Sequence, residues 1–161
     1  MKKLVVLAWL YALMVGCASN HVTPVSSDQL TKGPENGKAL VNFMRPSNFG
    51  GAIQSTVYDG DQYIGTVSAN TKICYQAEPG KHLFMVIGES ADFMEAELVA
   101  NKTYYVTVAP RMGVWKARFS LNPASGVASD KQIEEWDSAT KEVAINDSGL
   151  AWAKSKQNEV L

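Results

Sequence analysis

Between Lys38 and Leu121 the chain alternates apolar and polar residues with a period of two, which is typical of strands half buried in a sheet. Turn signals separate these runs at Asp59-Gly60, Glu78-Pro79-Gly80-Lys81 and Asn101-Lys102. The predicted strands cover residues 39–44, 53–58, 63–67, 71–76, 82–87, 93–99, 103–109 and 114–121. About eight strands separated by turns, with no helical pattern between them, predict an all-β, antiparallel β-sandwich over residues 38–122. The same pattern argues against a parallel α/β sheet.

The period changes after the last predicted strand. Ser129 and Gln132 fit a capping box, in which a Ser side chain accepts a hydrogen bond from the backbone three residues further on. Ile133 and Trp136 then fall on one stripe of a helix. Residues 123–161 are therefore predicted to form a short C-terminal helical tail that packs on the sandwich through Ile133 and Trp136.

The N-terminus has the layout of an export signal. Lys2 and Lys3 precede an uncharged, mostly apolar run at residues 4–15. That run is shorter than the roughly 20 residues that a permanent membrane-spanning helix needs. A basic start, a short apolar stretch and a small residue at its end are typical of a cleaved signal peptide.

The segment Leu13-Met14-Val15-Gly16-Cys17 resembles the lipobox of bacterial lipoproteins, with Met14 at a position where Leu is usual. The resemblance implies that residues 1–16 are removed and that Cys17 becomes a lipidated N-terminus held in the membrane by its acyl chains. The alternatives are an ordinary secretory signal with an incidental cysteine, or an uncleaved anchor helix.

Ala18, rather than an aspartate, follows Cys17. By resemblance to the sorting of enterobacterial-type lipoproteins, this favours the outer membrane, with the domain facing the periplasm. Loss of Lys2 and Lys3 with the signal changes the formal net charge from -1 to -3. The mature chain therefore presents no basic field for nucleic acid or anionic lipid, and its membrane contact is expected to come from the lipid.

Residues 17–37 link the cysteine to the first predicted strand. The segment is polar, contains Pro24, Gly33, Pro34 and Gly37, and shows no helical period. This composition predicts a flexible tether between the lipidated cysteine and the domain.

The stretch from Ala39 to about Leu121 resembles the bacterial lipoprotein domain of unknown function 2846. The motifs that carry the resemblance are Arg45-Pro46-Ser47, Val57-Tyr58-Asp59-Gly60 with Ile64-Gly65, Pro79-Gly80-Lys81-His82, and Asn101-Lys102-Thr103-Tyr104-Tyr105-Val106. The resemblance implies a transthyretin-like, carboxypeptidase-regulatory-like or immunoglobulin-like sandwich. It implies no catalytic residues, because the family has no known activity.

A search for catalytic and metal-binding motifs finds none. The chain lacks a Gly-x-Ser-x-Gly elbow, a phosphate loop and a dinucleotide fingerprint. Its two histidines, His21 and His82, are too few for a His-rich zinc site. Asp59 and Asp61 fit a hairpin turn better than a calcium loop. We therefore expect neither a catalytic centre nor a cofactor or metal beyond the covalent lipid on Cys17.

Cys74 lies within a predicted strand and has no partner in the chain if Cys17 carries lipid. One interpretation is a buried and unreactive thiol. The other is an intermolecular disulfide, which an oxidising periplasm permits.

These observations predict an envelope lipoprotein whose domain is a non-enzymatic binding or structural module. The predicted contact residues are Arg45 and Phe49, in the loop 45–51 after the first strand, and Arg111 and Trp115, in and beside the loop 111–114 before the last strand. The expected partner is an envelope protein or a glycan. A periplasmic enzyme or enzyme inhibitor with an unrecognised site is the alternative, and Phe49 could instead fold back onto its own core.

Overall fold

A computed structural model of the chain describes residues 21–51, 53–115 and 117–160. The residues of the predicted signal peptide and of the lipobox-like segment, including Cys17, lie outside the described residues. The strands are β1 Val22–Pro24, β2 Ala39–Arg45, β3 Ser55–Asp59, β4 Gln62–Val67, β5 Thr71–Ala77, β6 Gly80–Ile87, β7 Ala91–Leu98, β8 Thr103–Arg111, β9 Arg118–Pro123 and β10 Lys141–Ile145. The helices are α1 Asp130–Ala139 and α2 Asp147–Val160. No helix in the described part of the chain is long and apolar enough to cross a bilayer.

Two sheets pack face to face, which confirms the predicted all-β sandwich. One sheet has six strands in the order β1-β10-β5-β2-β8-β9, and the other has four in the order β4-β3-β6-β7. Phe43 of the larger sheet and Phe84 of the smaller one meet edge to face between them, with ring centroids 5.1 Å apart. The alternating apolar residues of both sheets supply the rest of the core.

The larger sheet is mixed rather than purely antiparallel. Strand β2 runs parallel to β8, with Met44 opposite Thr107, and β10 runs parallel to β5. Alternation along a strand shows which side chains face the core, but it carries no information on which strand lies beside which. The eight predicted strands were therefore right, but the pattern could not show that β2 pairs with β8, and it did not predict β10.

The prediction of a flexible tether is wrong for the part that the structure describes. Val22 is buried, and β1 pairs with β10. Further along, the backbone N–H and the hydroxyl of Thr31 both donate to the carboxylate of Glu142, and the side chain of Gln76 donates to the carbonyl of Gly33. The polar groups of this segment make hydrogen bonds to the sandwich, and the segment therefore lies along the domain.

The C-terminal tail is not purely helical, contrary to the prediction, because strand β10 follows α1 and joins the larger sheet. Helix α1 begins as predicted, with the Ser129 hydroxyl accepting from the backbone N–H of Gln132 at 3.3 Å. Ile133 and Trp136 are only half-buried, and the ion pair between Lys72 and Asp137 at 2.6 Å holds the helix to β5. The helix therefore packs more lightly than predicted.

The connections of the sandwich gather at two ends. We call residues 46–54, 68–70, 88–90 and 112–117 the loop end. They connect β2 to β3, β4 to β5, β6 to β7 and β8 to β9. His21, at the start of β1, lies at the opposite end, where β10 runs into α2. We call this second end the N-terminal end.

Candidate functional site

The two loops that the sequence singled out lie side by side at the loop end. Strands β2 and β8 are parallel neighbours, so the loops that follow them both start at the same end of the sheet. The first loop carries Phe49, and the second carries Trp115. Their juxtaposition depends on a parallel pairing that the alternation pattern could not reveal.

Arg45 is fully buried, which corrects its predicted role as a surface contact. Its guanidinium donates to the backbone carbonyl of Ile53 at 2.5 Å and to those of Phe49 and Gly50 at 2.8 Å. It also lies over the ring of Phe119, 5.1 Å from the centroid. Burial lowers the pKa of this guanidinium. The side chain of Arg45 therefore fixes the backbone of the first loop from inside the domain and is not accessible to a partner.

Phe49 is turned outward by this arrangement. Its ring is 58% exposed, so it does not fold back onto the core. Arg45 donates hydrogen bonds to the backbone carbonyls of Phe49 and Gly50. Gly50 has a φ of 63°, in the left-handed region that favours glycine. The amide of Asn70 also donates to that of Asn48 at 2.6 Å. The loop backbone is thus tied down while its aromatic side chain faces solvent.

The second loop is held by a carboxylate. Glu89, in the turn between β6 and β7, accepts from the backbone N–H of Trp115 at 3.0 Å and from that of Val114 at 3.3 Å. The same side chain pairs with Arg118 at 3.0 Å, and its backbone N–H donates to the carbonyl of Ala117. Glu89 thereby fixes the backbone of a loop whose large described side chains, Met112, Val114 and Trp115, are exposed.

The exposure of those side chains is extreme. Trp115 is 90% exposed, Met112 84% and Val114 72%. With Phe49 and Ile53 they form what we call the loop-end patch: Phe49, Ile53, Met112, Val114 and Trp115. Clustered apolar side chains on a soluble surface mark contact sites, and Trp and Met are enriched in them.

Of the four predicted contact residues, Phe49 and Trp115 belong to the loop-end patch. Arg45 is buried beneath the patch, and Arg111 lies at its rim, exposed, with its Nε donating to the Ser120 hydroxyl at 2.9 Å. The sequence analysis placed Met112 and Val114 in the predicted loop 111–114, with Val114 also assigned to the start of the last strand, but it named neither as a contact. It missed Ile53, which was assigned to a strand, and Glu89.

A second cluster joins the two sheets. The carboxylate of Asp59 on β3 accepts from the hydroxyl of Tyr75 on β5 at 3.0 Å and lies 2.7 Å from Nδ1 of His82 on β6. The other ring nitrogen of His82 lies 2.7 Å from the carbonyl of Glu78, and the ring stacks on Phe84. Burial and the Asp59 carboxylate raise the pKa of Tyr75. Both nitrogens of His82 are therefore engaged within the protein, and the cluster links the two sheets.

A shallow depression lies beside this cluster, lined by Lys81, His82, Leu83, Glu95, Ala96 and Glu97. Glu95 and Glu97 are exposed, as expected for a solvated strand face. Within the described residues, no group of three or more His, Cys, Asp and Glu side chains could hold a metal ion.

Cys74 is half-buried in β5. Burial, together with the nearby charge of Glu142, raises the pKa of its thiol from 9.0 to about 12. The thiolate is the reactive species, so almost none of it is present at neutral pH. This environment supports the interpretation of an unreactive thiol.

Comparisons with known proteins found no matching family model, no similar curated protein and no similar solved structure.

Proposed function

We propose that the protein is an envelope lipoprotein, held at the outer membrane through lipid on Cys17, and that its sandwich is a non-enzymatic module that binds an envelope protein through the loop-end patch. The lipobox-like segment and the resemblance to the lipoprotein domain of unknown function 2846 support the first part. The observation that carries the second part is Trp115, which is 90% exposed on a backbone fixed by Glu89.

The chemistry of the patch favours a protein over a glycan as the partner. Its five side chains are aromatic, aliphatic or thioether groups. Three backbone carbonyls of the first loop are bonded to Arg45, and two backbone N–H groups of the second loop are bonded to Glu89. An apolar centre with an arginine at its rim is the composition of a protein interface. Arg111 occupies that rim position. Because the backbones of both loops are already fixed, little further ordering of the loops is needed on binding, and the entropy cost of binding is lower.

The first test concerns the anchor. We expect that Cys17→Ser abolishes metabolic labelling with an acyl precursor and releases the protein from the membrane fraction, because the acyl chains supply the membrane affinity. Cys74→Ser is the matched control and should leave labelling unchanged. Labelling that persists in the Cys17→Ser variant would contradict the proposed anchor.

The second test concerns the loop-end patch. A photo-crosslinking amino acid at position 115 should give a discrete protein adduct in intact cells, whereas the same probe at position 93 should not. Phe93 lies on β7 and is 58% exposed, as Phe49 is, so it controls for exposure alone. Trp115→Ala should weaken binding of the partner identified in that adduct at least about 30-fold, as expected for a Trp hot spot.

Stability provides the control for that variant. Because the side chain of Trp115 is almost entirely exposed, Trp115→Ala should change the free energy of unfolding by no more than about 0.5 kcal/mol. Equal adducts at positions 93 and 115, or undiminished partner binding by Trp115→Ala, would refute the patch as the binding surface.

A further inference from the structure

The described part of the chain begins four residues after the proposed site of lipidation, Cys17. His21 already has defined partners, since its carbonyl accepts from the backbone N–H of Asn146 at 3.2 Å and its ring lies 4.9 Å from that of Trp152. Gly149 packs so tightly on the carbonyl of His21 that a side chain there would collide with it. The chain is therefore fixed to the start of α2 from His21 onward.

This contact limits how far the domain can lie from the bilayer. Four residue steps separate Cys17 from His21, and a fully extended chain covers at most about 3.6 Å per residue, or roughly 14 Å in total. The predicted tether of residues 17–37 would have allowed a much larger separation. Lipid on Cys17 thus brings the N-terminal end of the sandwich to the level of the lipid headgroups.

The loop-end patch lies at the other end of the same sheet. Strand β2 runs from one end of the sandwich to the other over seven residues, Ala39–Arg45, which corresponds to roughly 23 Å at about 3.3 Å per residue. The loops that carry Phe49 and Trp115 extend beyond the end of that strand.

Helix α2 supplies side chains suited to the membrane surface. Leu150 is 50% exposed and Lys154 is also exposed. They stand four residues apart and hence on the same face of the helix. Trp152 is half-buried between His21 and Tyr63. An apolar side chain beside a lysine is a combination that binds at the boundary between headgroups and acyl chains.

We infer that the N-terminal end of the sandwich, with the Leu150 and Lys154 face of α2, rests on the phospholipid surface and that the loop-end patch points away from it. This orientation depends on the proposed lipidation of Cys17. It presents the patch to a partner that does not belong to the same leaflet.

The orientation can be measured with the protein's own tryptophans. The mature, lipidated protein is reconstituted into phosphatidylcholine vesicles that contain dansyl-labelled phosphatidylethanolamine as an energy acceptor. One variant keeps only Trp152 of the mature tryptophans (Trp115→Phe, Trp136→Phe), and the other keeps only Trp115 (Trp136→Phe, Trp152→Phe). We expect transfer to the headgroup acceptor to be several-fold more efficient from Trp152, because the two residues lie at opposite ends of a sheet more than about 20 Å long.

The length of the link can be tested separately. Insertion of about ten Gly and Ser residues between Asn20 and His21 should reduce transfer from Trp152 towards that from Trp115, because the domain can then move away from the surface. Equal transfer from the two tryptophans in the protein of natural length, or stronger transfer from Trp115, would overturn the orientation.

Failure of the anchor is distinguishable from failure of the orientation. The lipidated protein should co-float with the vesicles, and Cys17→Ser should not. A wild-type protein that stays in solution refutes the anchor and the orientation with it. A wild-type protein that floats but transfers energy equally from both tryptophans refutes only the orientation.

Discussion

Replacing Arg45 by methionine should lower the free energy of unfolding by about 3–5 kcal/mol, because the change leaves three buried carbonyls of its loop without their hydrogen-bond donor. Methionine has a similar length and fills much of the same space, so the loss of hydrogen bonds dominates over the loss of volume. The affected carbonyls are those of Phe49, Gly50 and Ile53. Urea unfolding followed by circular dichroism measures the change.

Arg111→Met is the matched control for this prediction. Arg111 stands on β8, the parallel neighbour of the strand that ends at Arg45, but it is exposed and makes one hydrogen bond, to Ser120. Its replacement should cost less than about 1 kcal/mol. The Arg45 variant should also be cleaved sooner within residues 46–54 under limited proteolysis. Equal stability losses in the two variants would mean that Arg45 does not organise its loop.

Phe84→Ala should destabilise the fold to a similar extent, by about 3–5 kcal/mol, because it opens a cavity between the two sheets. Phe84 is fully buried and lies edge to face with both Phe43 and Tyr75. Its ring also stacks against His82 at a centroid distance of 5.5 Å. The variant therefore loses core packing and one support of the Asp59–His82 contact together, and thermal unfolding should begin at a clearly lower temperature.

Phe93→Ala provides the comparison, since Phe93 pairs with Met85 on the neighbouring strand and is largely exposed. The same chemical change there should alter the free energy of unfolding by about 0.5 kcal/mol or less. If the two variants unfold at the same urea concentration, Phe84 does not have the central position in the core that its burial indicates.

The sequence predicted the sheets well where apolar and polar residues alternate over several positions. Strands β2 to β9 were all predicted, and most boundaries differ by only a few residues. The helix start at Ser129 was also predicted, because a capping side chain acts within one turn. Both kinds of signal depend on residues that are close together along the chain.

The missed elements depend on distant residues. Strand β1 has three residues, too few to show a period, and it exists because β10 lies beside it. Strand β10 follows a helix directly, so Val143 fitted the helical stripe as well as it fits the sheet. Neither strand could be recognised before its partner was known.

The candidate site was only half predictable for a related reason. Phe49 and Trp115 stood out as aromatic residues near glycines, and the structure leaves both of them exposed. Arg45 was also predicted to be a contact residue, because an arginine that precedes a proline usually lies at the exposed end of a strand. Its burial is possible only because its own loop turns three carbonyls towards it. Gly50 signals a turn in the sequence, but nothing there shows that the carbonyls of the turn meet the guanidinium.

The pairing of β1 with β10 has a consequence for the order in which the protein folds. The hairpins β3–β4 and β6–β7 join neighbouring residues and can form early, whereas contacts between distant residues form slowly because a long loop must close first. During synthesis, Val22 emerges long before its partner Ile145 exists. The first strand to be made is therefore among the last to be paired, and the six-stranded sheet stays incomplete until the residues of β10 are also free to fold.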